Sequence, residues 1–125
     1  MKWVKQSIHY WCPDTKEHKF LGQNVTAAIL DTGISPHPDF KGRILSFRDF
    51  SSTTGSSEKV LFSFSHFSPL IDNSGHGTHV AGILAGSGLL SSGTYAGIAP
   101  FCNLIIGKVL DQNGNGSIKN VINGI

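Results

Sequence analysis

Val25-Thr26-Ala27-Ala28-Ile29-Leu30-Asp31-Thr32-Gly33 decides the fold class of this 125-residue chain. Its apolar and β-branched residues run without polar alternation, the pattern of a strand covered on both faces, as in a parallel sheet. The run stops abruptly at an acid and a Thr-Gly turn. In open parallel sheets the carboxyl ends of the strands border the ligand crevice, which makes Asp31 a site candidate. An Asp in an ordinary turn satisfies the same residues.

Working outward, Asn103-Leu104-Ile105-Ile106-Gly107-Lys108-Val109-Leu110 is a second buried strand, and it too ends on an acid, Asp111. Arg43 to Phe50 reads as a short strand. Between the two long runs, Val80-Ala81-Gly82-Ile83-Leu84-Ala85 has the small apolar residues of a short helix lying close on a sheet. Ser117 is placed to cap a last helix, in which Ile118, Val121, Ile122 and Ile125 recur at helical spacing. The alternation of strands and helices predicts an α/β fold. That last helix has about two turns and no further strand for its apolar face, and the sheet is left with an open edge. The 125 residues are therefore expected to form an incomplete domain; a small domain whose last helix simply docks is the alternative.

Residues 1–21 show no sustained periodicity and are expected to be an N-terminal arm, with Trp3, Tyr10 and Trp11 packing on the surface of a unit spanning 22–125. Stacking of these rings on a ligand is the other reading. Residues 51–71, where Phe62, Phe64 and Phe67 interleave with serines, are the least readable stretch: an edge strand or a surface loop.

Composition excludes several classes of function. The net charge is +2 with histidines neutral, and Lys and Arg occur singly, which gives no basis for binding nucleic acid. No stretch approaches the length of a membrane span. Met1 to Gln6 contain no apolar signal region, so with Met1 as the start the expected location is cytoplasmic, with Cys12 and Cys102 reduced. Cys102, beside an apolar strand, reads as a small buried thiol.

The chemistry centres on Gly75-His76-Gly77-Thr78-His79-Val80-Ala81-Gly82, where a loop turns into a helix. At a helix start, the positive dipole end disfavours protonated His76. A neutral imidazole is what a general base requires, and a carboxylate on its other nitrogen would orient it. Asp31 is a suitable partner if the two ends meet. Gly75 and Gly77 leave room for a substrate backbone, and His79 is expected to be buried and bonded to backbone. A metal reading uses His76 and His79 with Asp31 or Asp72, but the helical zinc pair is spaced i, i+4 around a Glu, which is absent. Asp111-Gln112-Asn113-Gly114-Asn115-Gly116 begins like a calcium loop of EF-hand type, yet position twelve is Ile122 rather than Glu, which rejects the motif.

Together these residues resemble the subtilisin-like serine proteases. Ala28-Ile29-Leu30-Asp31-Thr32-Gly33-Ile34 with His37-Pro38-Asp39 is similar to the family's Asp region, and Gly75 to Gly82 to its His region. Gly97-Ile98-Ala99-Pro100 followed by Lys108-Val109-Leu110-Asp111 resembles the strand that comes next. The resemblance implies a three-layer α/β/α fold with a mainly parallel sheet, incomplete at the C-terminus. It implies peptide-bond hydrolysis by an Asp-His-Ser triad, with Asp31 orienting and His76 as general base. Gly114, Asn115 and Gly116 then match the segment that pairs with the substrate peptide as an added strand, while Leu110, Ile118 and Val121 match an apolar pocket for a substrate side chain.

Asp39 matches a family calcium ligand, although Ser87 to Thr94 lack the Asn-bearing pattern that should accompany it; no cofactor is required for the chemistry. The family's nucleophile motif does not occur in these residues. The expectation is a chain inactive alone, with a peptide or protein substrate and the rest of the catalytic domain as partners. A non-catalytic fragment that binds peptides, or complements a C-terminal half, is the alternative.

Overall fold

The computed structural model describes residues 2–8, 10, 20–51, 60–61 and 70–125. Trp11, Cys12, Phe62, Phe64 and Phe67 fall outside them. The elements are α1 (Lys2–Ser7), β1 (Thr26–Asp31), β2 (Ile44–Asp49), β3 (Val60–Leu61), α2 (His76–Ala85), β4 (Asn103–Lys108) and α3 (Ile118–Gly124). Single 3-10 turns lie at Pro38–Phe40 and Leu89–Ser91.

The strands form one sheet in the order β1-β4-β2-β3. β4 pairs in parallel with both β1 and β2, and β3 adds an antiparallel edge against Ser46 and Phe47. The mainly parallel α/β architecture expected from the apolar runs is therefore present. β4 is central, which is why Leu104 and Ile106 are fully buried.

The helix α2 packs on one face of this sheet. Ile29, Phe47, Leu104 and Ile106 from the strands meet Ala81 and Ala85 from the helix in a single core. Small residues let the helix lie close. A Cβ on Gly77 would stand 2.2 Å from the carbonyl oxygen of Gly33, so only glycine permits this approach. Arg43 pins the far end of α2, donating to the carbonyls of Ala85 (2.6 Å), Cys102 (2.7 Å) and Asp39.

The opposite face corrects the expectation of strands buried on both sides. Ala28 is exposed and Ile105 is 43% exposed. They line an open groove of about 140 Å³ with Leu30, Arg48, Phe50 and Gly124. The helix α3 borders this groove at Gly124, where an added Cβ would meet Val109, Leu30 and Phe50. Uninterrupted hydrophobicity signals a strand suited to cover on both faces, but it does not say whether both faces are covered. The apolar stripe of α3 is likewise open, with Ile118 80% exposed.

At the N-terminus the aromatic residues divide. Trp3, on the short helix α1, is 78% exposed rather than packed. Tyr10 does engage the domain, donating its hydroxyl to the carbonyl of Ile98 at 2.7 Å. Cys102 is a buried free thiol.

Candidate active site

β1 and β4 end side by side, with Asp31 in register with Lys108. Asp31 is held at both ends of its residue. Its carbonyl accepts from the N–H groups of Val109 (2.9 Å) and Leu110 (3.2 Å), and its Oδ1 accepts from Thr32 N–H (2.7 Å). The carboxylate is therefore placed by the sheet rather than by a flexible loop.

His76 is the first residue of α2. The N-cap is Gly75 at φ +83°, a left-handed conformation suited to glycine, and it makes no side-chain cap. Asp72 supplies the cap from outside the helix, its carboxylate accepting from Gly75 N–H and Thr78 N–H, both at 2.8 Å. The helix start then delivers His76 Nδ1 to Asp31 Oδ1 at 2.7 Å. The side chain of His76 is 62% exposed and that of Asp31 12%.

An ionised carboxylate only accepts hydrogen bonds, so Nδ1 carries the proton and Nε2 is left as an acceptor facing solvent. The hydrogen bond to Asp31, then the charge of Asp31, raise the imidazole above its ordinary value of 6.5, with the Asp72 charge adding to them. The helix start, expected to disfavour the protonated ring, is thus opposed by the carboxylate beside it. A full negative charge at 2.7 Å outweighs a helix-end partial charge of about +0.5.

Two other expectations change. Gly77 does not leave room for a ligand: it is buried, and it brings α2 onto Gly33 and Asp31. Gly75, by contrast, has open space beside it. His79 is exposed rather than buried, lining a shallow cleft with His37, Phe40 and Thr78. Among the described residues no three His, Cys, Asp or Glu side chains are grouped to hold a metal ion.

The segment Gly114-Asn115-Gly116 follows β4 in a tight turn, with Gly114 at φ +80°. Asp111 closes the turn: its N–H donates to Asn115 O (2.7 Å), and its side chain accepts from Asn113 and Asn115 N–H. This Asp/Asn turn replaces the rejected calcium loop. Among the described residues, the carbonyl of Gly114 and both backbone groups of Gly116 remain untaken. Leu110 and Val121 are half-buried, while Ile118 is exposed. Asp39 lies apart from His76, its oxygens accepting from Gly88 N–H (3.0 Å) and Leu89 N–H (3.1 Å).

The motif reading passed over Thr32, Asp72 and Lys108 as supports of this site. Lys108 is buried, and its Nζ donates to the carbonyls of Thr32 (2.7 Å) and Leu110 (2.9 Å). A lysine inside an otherwise apolar strand was the available signal.

A model of the Subtilase family (Peptidase_S8) matches residues 22–125. The chain is 46% identical over 104 residues to the serine protease AprX of Bacillus subtilis (strain 168), covering 83% of this chain and 21% of that protein. It is 41% identical over 106 residues to the major intracellular serine protease of the same organism, covering 83% of this chain and 30% of the relative. Among solved structures it resembles a cold adapted subtilisin-like serine proteinase, with a TM-score of 0.60 and 34% identity over 84% of this chain and 32% of that one. The chain thus spans between a fifth and a third of the length of these proteins.

Proposed function

Because this chain belongs to the subtilase family, we propose that Asp31 and His76 are the orienting carboxylate and the general base of a serine endopeptidase centre. The observation that carries the reading is the 2.7 Å Nδ1–Oδ1 bond, which leaves Nε2 open to solvent. In this reading Nε2 removes the proton of a serine hydroxyl as its oxygen bonds to the peptide carbonyl carbon. Asp31 stabilises the imidazolium that results, and His76 then gives the proton to the departing amine. Water attacks the acyl-enzyme by the same proton path in reverse roles. The serine comes from outside these 125 residues, so the chain alone is inactive.

The substrate is a peptide or protein. Its backbone pairs as an added strand along Gly114, Asn115 and Gly116, a role supported by the untaken carbonyl of Gly114 and the untaken N–H and carbonyl of Gly116. Leu110, Ile118 and Val121 border a pocket for one of its side chains. The chemistry needs no metal. Asp39 braces its loop by accepting two N–H groups, and its remaining lone pairs keep it a weak candidate for a structural calcium. The chain works in the cytoplasm, a placement supported by the free Cys102 and by relatives named as intracellular proteases, while another is named a minor extracellular protease. Among the described residues no helix is long and apolar enough to cross a membrane.

A second reading, a non-catalytic fragment that complements the remainder of a catalytic domain, is favoured by the open sheet face at Ile105 and the bare stripe of α3. One experiment separates the two. The purified chain should neither turn over a peptide nor be labelled by a serine-directed fluorophosphonate. Co-expression with a downstream subtilase segment should restore turnover, and His76→Ala should abolish it. A stable complex without turnover selects the second reading; labelling of a serine within the chain alone overturns the first.

A further inference from the structure

Two segments must meet for Asp31 to orient His76: residues 31–35 after β1, and residues 72–78 at the start of α2. Among the described residues no main-chain hydrogen bond joins them. Apart from the Asp31–His76 bond itself, every polar link between them runs through two threonine hydroxyls and one carboxylate. Thr32 Oγ1 accepts from Gly77 N–H (2.9 Å), and Thr78 Oγ1 accepts from Ser35 N–H (2.9 Å). Each hydroxyl crosses to the other segment, and each donates its own proton to Asp72. Asp72 also accepts from the N–H groups of Ser74, Gly75 and Thr78.

We propose that Thr32, Thr78 and Asp72 form a clamp that sets the distance between Asp31 and His76, acting as positioning residues that touch no substrate. A hydroxyl has one proton, and giving it to Asp72 leaves its lone pairs free for the opposing N–H. The carboxylate therefore fixes the direction of both crossing bonds. Thr32 is 1% exposed, so water does not compete for its hydroxyl. Gly77 and Thr78 follow His76 directly, so a loosened crossing bond moves the imidazole itself. The clamp works only with Asp72 ionised: against the burial that favours its neutral form, the hydrogen bonds from Thr78 (side chain and N–H), Thr32 and Gly75 hold that carboxyl at about 2.

The proposal rests on reading Asp31 and His76 as orienting carboxylate and general base, but its test needs no turnover. The groups that bear on the His76 ring are Asp31 and Asp72; beneath Thr32 lies the Lys108 ammonium, and His37 and His79 line the neighbouring cleft. The protein is labelled with ¹⁵N-histidine, His76 is assigned by its loss in His76→Gln, and its ring is titrated. Thr32→Val removes both Thr32 bonds without changing any charge. It should abolish the downfield Nδ1–H resonance and bring the titration down toward 6.5. Thr32→Ser, which keeps the hydroxyl, should restore both. Thr78→Val gives the same loss from the helix side should Thr32→Val fail to fold.

An unchanged His76 resonance and titration in a folded Thr32→Val or Thr78→Val variant overturns the clamp. So does a Thr32→Ser protein that behaves like Thr32→Val, since packing rather than the hydroxyl would then be responsible. Neither result touches the proteolytic reading, which fails instead if the complemented enzyme lacks turnover.

Discussion

The ammonium of Lys108, at the end of β4, donates to the carbonyl of Thr32, the residue that follows Asp31, at 2.7 Å. It also donates to Leu110 O, so one buried cation ties the turn after β1 to the turn after β4. The carboxylate proposed to orient His76 and the proposed substrate-pairing segment thus lean on the same side chain.

Lys108→Met keeps the volume and length of the stem but leaves two carbonyls without a partner. Unsatisfied buried groups cost about 1–3 kcal/mol each before water re-enters. The expected outcome is a lower urea midpoint with an unchanged slope, and a displaced Thr32 amide resonance. A midpoint equal to the parent's would show that the ammonium is not needed to hold these turns.

Gly77→Ala tests the close approach of α2. The new Cβ meets Gly33 O at 2.2 Å and Asp31 Oδ1 at 3.2 Å, and the first of these is backbone that cannot rotate away. Overpacking of this kind costs about 1–3 kcal/mol, and it should push the helix start off Asp31. Thermal unfolding should fall by several degrees, and the Nδ1–H resonance of His76 should weaken. Full stability with an intact resonance would mean that α2 can ride higher on the sheet.

Stability should depend on pH from two sides. Folding raises His76 above 6.5, so the folded state holds its proton more tightly. That stabilisation is complete below about pH 6.5 and disappears as pH rises through the folded-state value. Folding lowers Asp72 from 3.8 to about 2, so its contribution is present above 3.8 and vanishes as pH falls toward 2. Urea midpoints measured across this range should lose the alkaline component in His76→Gln and the acidic one in Asp72→Asn. Salt should shrink the His76 component, since its ring is exposed and screened. A His76→Gln profile parallel to the parent's above pH 6.5 would contradict the pairing with Asp31.

The strands β1 and β4 were legible because apolar runs too short for helices, and unbroken by polar residues, have few other uses. The start of α2 was legible from its glycines and small residues. β3 was not: two residues at a sheet edge carry no periodicity, and only pairing with Ser46 and Phe47 defines them. Ser117 capped its helix as its position predicted, accepting from Asn120 N–H. Trp3 and His79 went the other way, since a residue's type does not say which side of a short helix the core lies on.

By itself the sequence determined the α/β class, the family resemblance, and the pair Asp31 and His76, because these depend on local patterns and residue chemistry. Tertiary structure decided how the pair is held. Thr32 and Asp72 lie 40 residues apart, and Asp31 and His76 lie 45 apart, so no local pattern records that they meet. Tertiary structure also decided the charge tendency of His76, because a carboxylate brought to 2.7 Å by the sheet overrides the helix end on which the ring sits.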